Sequence, residues 1–334
     1  MIYPQTRRTD TVEEHFGAAI ADPYRWLEGD TRNHPEVAEW VGAQDELARA
    51  HLAELPGRET FRQRLTELHD HARLTASIKR GDRYFFTRNA GLNDQETLVM
   101  REGAEGPDRV LIDPNLWSED GAAALAEWAI SEDGRYVAFA RQEGGTDWRT
   151  IRILDVETGD VLPDKIAWAR FTAIAWAHEG SGFFYSRFPE PPTENAFEAP
   201  VAHHAVYFHA LGTAQAHDRL VHATPAEPFL IHVISVMPDG RYAAIYSAPG
   251  AGSNALSIID LQDPSWTPRP VIETYRQKWF VAGNQGPQFF LSTDQGAERG
   301  KIVTVDLAAA EPRFTDLVDE RDDATLNDAS LLGG

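Results

Sequence analysis

The chain has no cysteine in its 334 residues. That excludes disulfides, a thiolate nucleophile and any cysteine-based zinc or iron–sulfur centre. Basic residues are few, with 31 Lys and Arg against 52 Asp and Glu, a formal net charge of -21. Binding to a phosphate backbone needs clustered cations, so nucleic acid is not an expected partner. The acidic surface reads as a solubility feature. No apolar run approaches the length of a membrane span. No apolar stretch follows the opening residues Tyr3-Pro4-Gln5-Thr6-Arg7-Arg8, so no signal peptide is read. A cytoplasmic setting is the expectation, with a periplasmic one left open. No cofactor is called for: the glycines sit in hairpin-like turns with no helix after them, not in phosphate-cradling loops.

What the chain does have is periodicity. Residues 1–72 read as a helical arm. Pro35 to Leu55 carries Val37, Trp40, Val41, Leu47 and Leu52 mostly at helical spacing, and Pro56-Gly57 stops it. A shorter helix follows with Phe61, Leu65 and Leu68 on one side. Asp22-Pro23-Tyr24-Arg25-Trp26-Leu27-Glu28 reads as a turn leading into aromatics. The apolar stripe has little within the arm to pack against.

From residue 73 the pattern changes to short β-prone runs behind glycine-bearing turns. Gly81-Asp82-Arg83 precedes Tyr84-Phe85-Phe86, and Asp133-Gly134-Arg135 precedes Tyr136-Val137-Ala138-Phe139. Gly180-Ser181-Gly182, Asp239-Gly240-Arg241 and Gln285-Gly286-Pro287 introduce three more such runs. Asp-Gly tolerates positive φ and is a strong hairpin signal. Each unit then carries a second hairpin, such as Ile153-Leu154-Asp155-Val156 before Glu157-Thr158-Gly159. A period of roughly 45–60 residues fits four strands per repeat, the signature of propeller blades. About five units are counted. Ala324 to Gly334 reads as the first strand of a sixth, with a turn at Gly333-Gly334. A ring left open in this way is expected to expose unpaired edges and to be poorly cooperative. The expected fold is mainly β: an incomplete propeller over 73–334 behind a helical arm over 1–72.

These pieces, in order, resemble the prolyl oligopeptidases. The resemblance rests on Asp22-Pro23-Tyr24-Arg25-Trp26-Leu27-Glu28, on Trp40-Val41 with Ala43-Gln44, and on Leu55-Pro56-Gly57-Arg58. It continues through Arg83-Tyr84-Phe85-Phe86, Leu111-Ile112-Asp113-Pro114-Asn115, Asp147-Trp148 and Phe183-Phe184-Tyr185-Ser186-Arg187-Phe188. The resemblance implies a seven-bladed propeller, followed by an α/β-hydrolase domain whose serine triad cleaves short peptides after proline. The helical arm would pack on that domain. Oligopeptidase B, which cuts after basic residues, is the near alternative; a free-standing propeller that binds peptides is the alternative from another class. On the family pattern, Phe171 lines an outer substrate subsite and Ile231 lies near it. Asp147 supports a substrate-binding arginine of the hydrolase domain. Ala248 stands where the family often has arginine, which puts one outer-subsite contact in doubt.

No catalytic residue can be named. The Gly-x-Ser-x-Gly elbow that presents a hydrolase serine does not occur. Ser181 and Ser253 have partial glycine contexts and read as turn serines. By strand alternation, at most His203 and His209 would share a face; they read as ordinary histidines, with no metal site expected. The chain is therefore expected to supply a substrate-gating propeller without the triad, and to be inactive by itself. Its expected partners are proline-containing peptides and the hydrolase domain.

Overall fold

A computed structural model describes residues 3–191 and 201–332. The turn expected at Gly333-Gly334 lies outside these residues. The chain divides into two compact units, the first built mainly from Met1–His71 and the second mainly from Ala72 onward.

The first unit has two helices, Pro35–Ala53 and Arg58–His69. Pro35 opens the first helix, where its missing N–H is one of the unpaired donors in any case. Gly57, at φ +84°, turns the chain between them. Val37 is buried, and the indoles of Trp26 and Trp40 donate to the Arg7 carbonyl and the Thr6 hydroxyl, each at 3.0 Å. Phe61, Leu65 and Leu68 stay exposed. The turn segment contains a short 3-10 helix, Arg25–Glu28. Ahead of it lies a hairpin absent from the sequence reading, Val12–His15 with Ala18–Ala21.

The second unit is mainly β, laid out as five consecutive antiparallel blades. The first contains Arg83–Asn89, Thr97–Glu102 and Asp108–Ile112, with Arg73–Leu74 and Ile78–Arg80 both pairing on Arg83–Asn89. The second runs Ala124–Ile130, Tyr136–Gln142, Arg149–Asp155, Val161–Ala169. The third runs Ala175–Trp176, Gly182–Arg187, Ala205–Ala210, Arg219–Ala223. A single pairing, Ala169 with Arg187, joins the second and third into one continuous sheet. The fourth is Ile231–Val236, Tyr242–Ala248, Ala255–Asp260, Arg269–Ile272. The fifth is Trp279–Gln285, Gln288–Thr293, Lys301–Asp306, Thr315–Val318.

The strands carry apolar residues at consecutive positions because both faces are covered. Side chains alternate across a strand. In Tyr136–Gln142, Val137 and Phe139 pack toward the first blade with Phe85, Leu98 and Met100. Ala138 and Ala140 pack toward the third with Trp176, Phe183 and Tyr185. The same split recurs in Tyr242–Ala248: Ala243 and Ile245 join Phe184 and Val206, whereas Tyr242 and Ala244 join Trp279 and Phe289. The core is thus a series of interfaces between blades. Burying one such aromatic is worth roughly 1.5–3 kcal/mol.

The Asp-Gly turns behave as their chemistry requires. Gly134 and Gly240 have φ of +70° and +68°. Asp133 and Asp239 accept the amides of Arg135 and Arg241 at 3.0 Å. Each arginine then reaches across its blade, Arg135 to Asp155 and Arg241 to Asp260. Residues 324–332 carry no strand. Instead Leu326 and Leu331 donate their amides singly to the carbonyls of Arg299 and Ala282. No helix among the described residues is long and apolar enough to cross a membrane.

Candidate functional site

Inner strands of the blades border a cavity of about 500 Å³ lined by Trp128, Ile130, Ile174, Trp176, Ile234 and Met237 among others. Links between strands form a rim at one end of the blades, and the three sequence candidates lie there. Asp147 is in the loop before Arg149–Asp155, Phe171 is in the link between the second and third blades, and Ile231 opens the fourth.

Asp147 and Phe171 are brought together by Arg170. The Arg170 guanidinium donates to Asp147 at 2.7 Å. It also lies over the rings of Phe171, at 4.8 Å, and Trp148, at 5.4 Å, within the range of a cation–π contact. Phe171 is 41% exposed. Its ring meets Phe188 edge-on, as does that of Trp148. Phe171 in this link and Trp168 near the end of the strand Val161–Ala169 have positive φ, +50° and +61°. Such values are uncommon for bulky residues and are held only by their surroundings.

Ile231 is reached through one buried imidazole and a backbone amide rather than by direct contact. His204 donates from Nε2 to the Arg170 carbonyl at 2.9 Å. Its Nδ1 accepts the backbone N–H of His232, the neighbour of Ile231, at 2.8 Å. Ile231 pairs across the ladder with Ala248, where the resemblance leads one to look for arginine.

Burial pushes the His204 imidazole down to about 4. His232 is down to about 3, through burial first and then through His222 and His204. Both are neutral at ordinary pH. His232 Nδ1 lies 2.8 Å from the Ser247 hydroxyl. This is the spacing of a serine and its base, but the ring's other nitrogen faces Thr224 at 3.1 Å instead of a carboxylate. Such a ring is a poor proton acceptor, and Ser247 is buried. Ser181 and Ser253 are turn serines, bonded to Glu179 and to the Tyr275 carbonyl.

Strand parity does not relate His203 to His209. His203 precedes the strand Ala205–Ala210 and has φ +63°. His209 is enclosed, with Nδ1 at 2.7 Å from Asp218 and Nε2 at 3.0 Å from Asp164. Sequence reasoning passed over Arg170, Phe188 and His204. The only available signal was the aromatic and charged content of the two links, which has no period to read.

Comparison with known proteins agrees with the fold. Residues 4–334 match the family described as prolyl oligopeptidase, N-terminal beta-propeller domain. A prolyl endopeptidase of Elizabethkingia meningoseptica is 32% identical over 301 residues, covering 90% of this chain and 42% of the relative. A dual function macrocyclase-peptidase of Amanita bisporigera is 29% identical, with 99% and 49% covered. Among solved structures, prolyl oligopeptidase B from Galerina marginata, bound to a 35mer hydrolysis and macrocyclization substrate, superposes with a TM-score of 0.85. It shows 25% identity, with 98% of this chain and 49% of that one covered. The chain spans about half the length of the curated relatives it matches.

Proposed function

The chain belongs to the prolyl oligopeptidase family through its N-terminal β-propeller, and from that premise we propose that it forms the substrate-gating part of a serine endopeptidase that cleaves short peptides after proline. The observation that carries this reading is the family match over residues 4–334 on a chain whose first four blades line a cavity of about 500 Å³. Phe171 and Ile231 would face the peptide, and Asp147 would orient a cation, Arg170 in this chain or an arginine of a hydrolase domain. Residues 1–72 would pack on that domain, and 73–334 form the propeller. The triad would come from outside these 334 residues, which hold no Gly-x-Ser-x-Gly elbow. The chain by itself would bind peptide and leave it intact. Its proposed compartment is the cytoplasm, in keeping with a sequence that needs no oxidising environment to fold.

The test is to incubate the 334-residue chain with a short chromogenic peptide ending in Gly-Pro, and to titrate it with the same peptide by calorimetry. Binding without chromophore release supports the reading. Release by the isolated chain would overturn the assignment of the triad elsewhere. Equal affinity for a peptide with Ala in place of Pro would overturn the proline preference.

A further inference from the structure

The Phe171 ring lies in the open while its backbone occupies a conformation that bulky residues avoid. Its φ is +50°, a region favourable chiefly to glycine and, to a lesser degree, asparagine and aspartate. Rotation about φ at Phe171 swings the preceding peptide plane, whose oxygen is the Arg170 carbonyl. That oxygen is fixed by His204 Nε2 at 2.9 Å. Locking the carbonyl locks φ, and φ aims the ring.

The other face of His204 is equally committed. Ile231–Val236 pairs with Tyr242–Ala248 and has no second neighbouring strand among the described residues. The His232 N–H is satisfied by His204 Nδ1 at 2.8 Å. With a carbonyl on one nitrogen and an amide on the other, the ring has one compatible state: neutral, with the proton on Nε2. It is 1% exposed, and Phe188 packs on it with centroids 4.5 Å apart. Phe188 in turn touches Phe171 and Trp148. One imidazole thus ties the link that carries Phe171 to the strand that begins with Ile231.

We propose that His204 is the positioning residue of the substrate rim: its imidazole holds Phe171 in the left-handed conformation and fixes that ring relative to Ile231, so that together they select the apolar side chain of a bound peptide. This rests on the reading of Phe171 and Ile231 as peptide-facing. His204 itself touches no ligand and acts through the two backbone groups it bridges.

The experiment uses the full chain and two variants. His204→Gln keeps a donor and an acceptor at similar separation. His204→Leu keeps neither. The Arg170–Phe171 bond is a tryptic site, so timed trypsin digestion with mass spectrometry reports opening of this link. In His204→Leu, cleavage at Arg170 rises about tenfold over the parent chain, while His204→Gln stays within about twofold. Peptides differing only in Phe or Ala at the outer apolar position are then titrated. The parent and His204→Gln discriminate between them and His204→Leu does not. Equal cleavage rates in a folded His204→Leu would overturn the proposal. Should that variant not fold, the proposal is judged on the parent chain by long-range nitrogen–proton NMR, where the Nε2–H form of His204 is expected and the Nδ1–H form would overturn it. Failure of the parent to bind either peptide would sink the peptide-facing reading alone, because cleavage and tautomer are measured without ligand.

Discussion

Asp147 and Arg170 meet at 2.7 Å but are unequally covered: the carboxylate side chain is 55% exposed and the arginine 19%. The resemblance to prolyl oligopeptidases gives Asp147 an arginine partner in a separate domain. In this chain the carboxylate already has one in the adjoining link. Arg170 is held mainly by what surrounds it, the rings of Trp148 and Phe171. An ion pair this open contributes about 0–1 kcal/mol. The double-mutant cycle of Asp147→Asn and Arg170→Gln should therefore give a coupling near about 0.5 kcal/mol in urea unfolding. A coupling above about 2 kcal/mol would mean that the pair is far better shielded than its exposure implies.

Between the second and third blades the electrostatics are of a different kind. His209 is fully buried between Asp218 and Asp164. The Tyr185 hydroxyl donates to Asp218 at 2.7 Å and the Gly212 amide to Asp164 at 2.6 Å. Burial alone would lower the His209 pKa. The bonds to Asp218 and Asp164 outweigh it, and the net shift is upward. A group raised on folding stabilises fully below its unfolded value, near 6.5, and the contribution disappears as pH rises through the folded value. His209→Gln should cost about 3–5 kcal/mol at pH 6, because two buried carboxylates lose their cation. The penalty should shrink at alkaline pH. Urea unfolding of parent and variant from pH 6 to 9 checks this; parallel profiles would show that the ring is not charged in the folded chain.

The rim histidines have the opposite sign. His204 and His232 are held neutral by burial, at about 4 and about 3. His222, edge-on to His232, is lowered by burial as well. Around them lie the Arg170 carbonyl, the Thr224 and Ser247 hydroxyls and the Phe188 ring, with no carboxylate bonded to either imidazole among the described contacts. A depressed group stabilises above its unfolded value and loses that contribution as pH falls toward the folded one. Each ring should remove on the order of 3 kcal/mol between pH 6.5 and 4. His204→Gln, which cannot titrate, should flatten the acid limb of the stability profile. An unchanged limb would place the acid sensitivity on the carboxylates instead.

The blades were legible because their chemistry is local and repeated. A turn such as Asp133-Gly134 marks where a strand begins, and the consecutive apolar residues of Tyr136–Gln142 show that both faces are covered. The rim was legible only in part. The resemblance singles out Phe171, Asp147 and Ile231, and the structure sets Asp147 and Phe171 on one guanidinium, that of Arg170. The bridge from Arg170 through His204 to His232 joins residues far apart in sequence by two backbone contacts, and no spacing encodes that. At Ala324 to Leu332 the sequence reading expects a strand, but Leu326 and Leu331 are an odd number of residues apart and share no strand face. They lie instead over Gly300 and Gly283, whose missing side chains leave them room. The hairpin of the first unit was missed because its turn is not the expected dipeptide.

That turn yields the last prediction. His15 pairs with Ala18, so the loop is Phe16-Gly17 alone, with φ of +51° and +78°. Two positive φ values in a two-residue loop define a type I′ turn, for which Asn-Gly is the preferred pair. Phe16 is fully exposed, so no packing within the chain offsets a left-handed cost of about 1–2 kcal/mol. Asparagine bears that conformation more readily through local hydrogen bonding. Phe16→Asn should therefore stabilise the hairpin by about 1 kcal/mol and slow amide exchange within Val12–His15 and Ala18–Ala21 about fivefold, with the blades unaffected. Faster exchange in the variant would show that the Phe16 ring stabilises the hairpin through contacts made in solution. The strain at φ +51° would then be the lesser term.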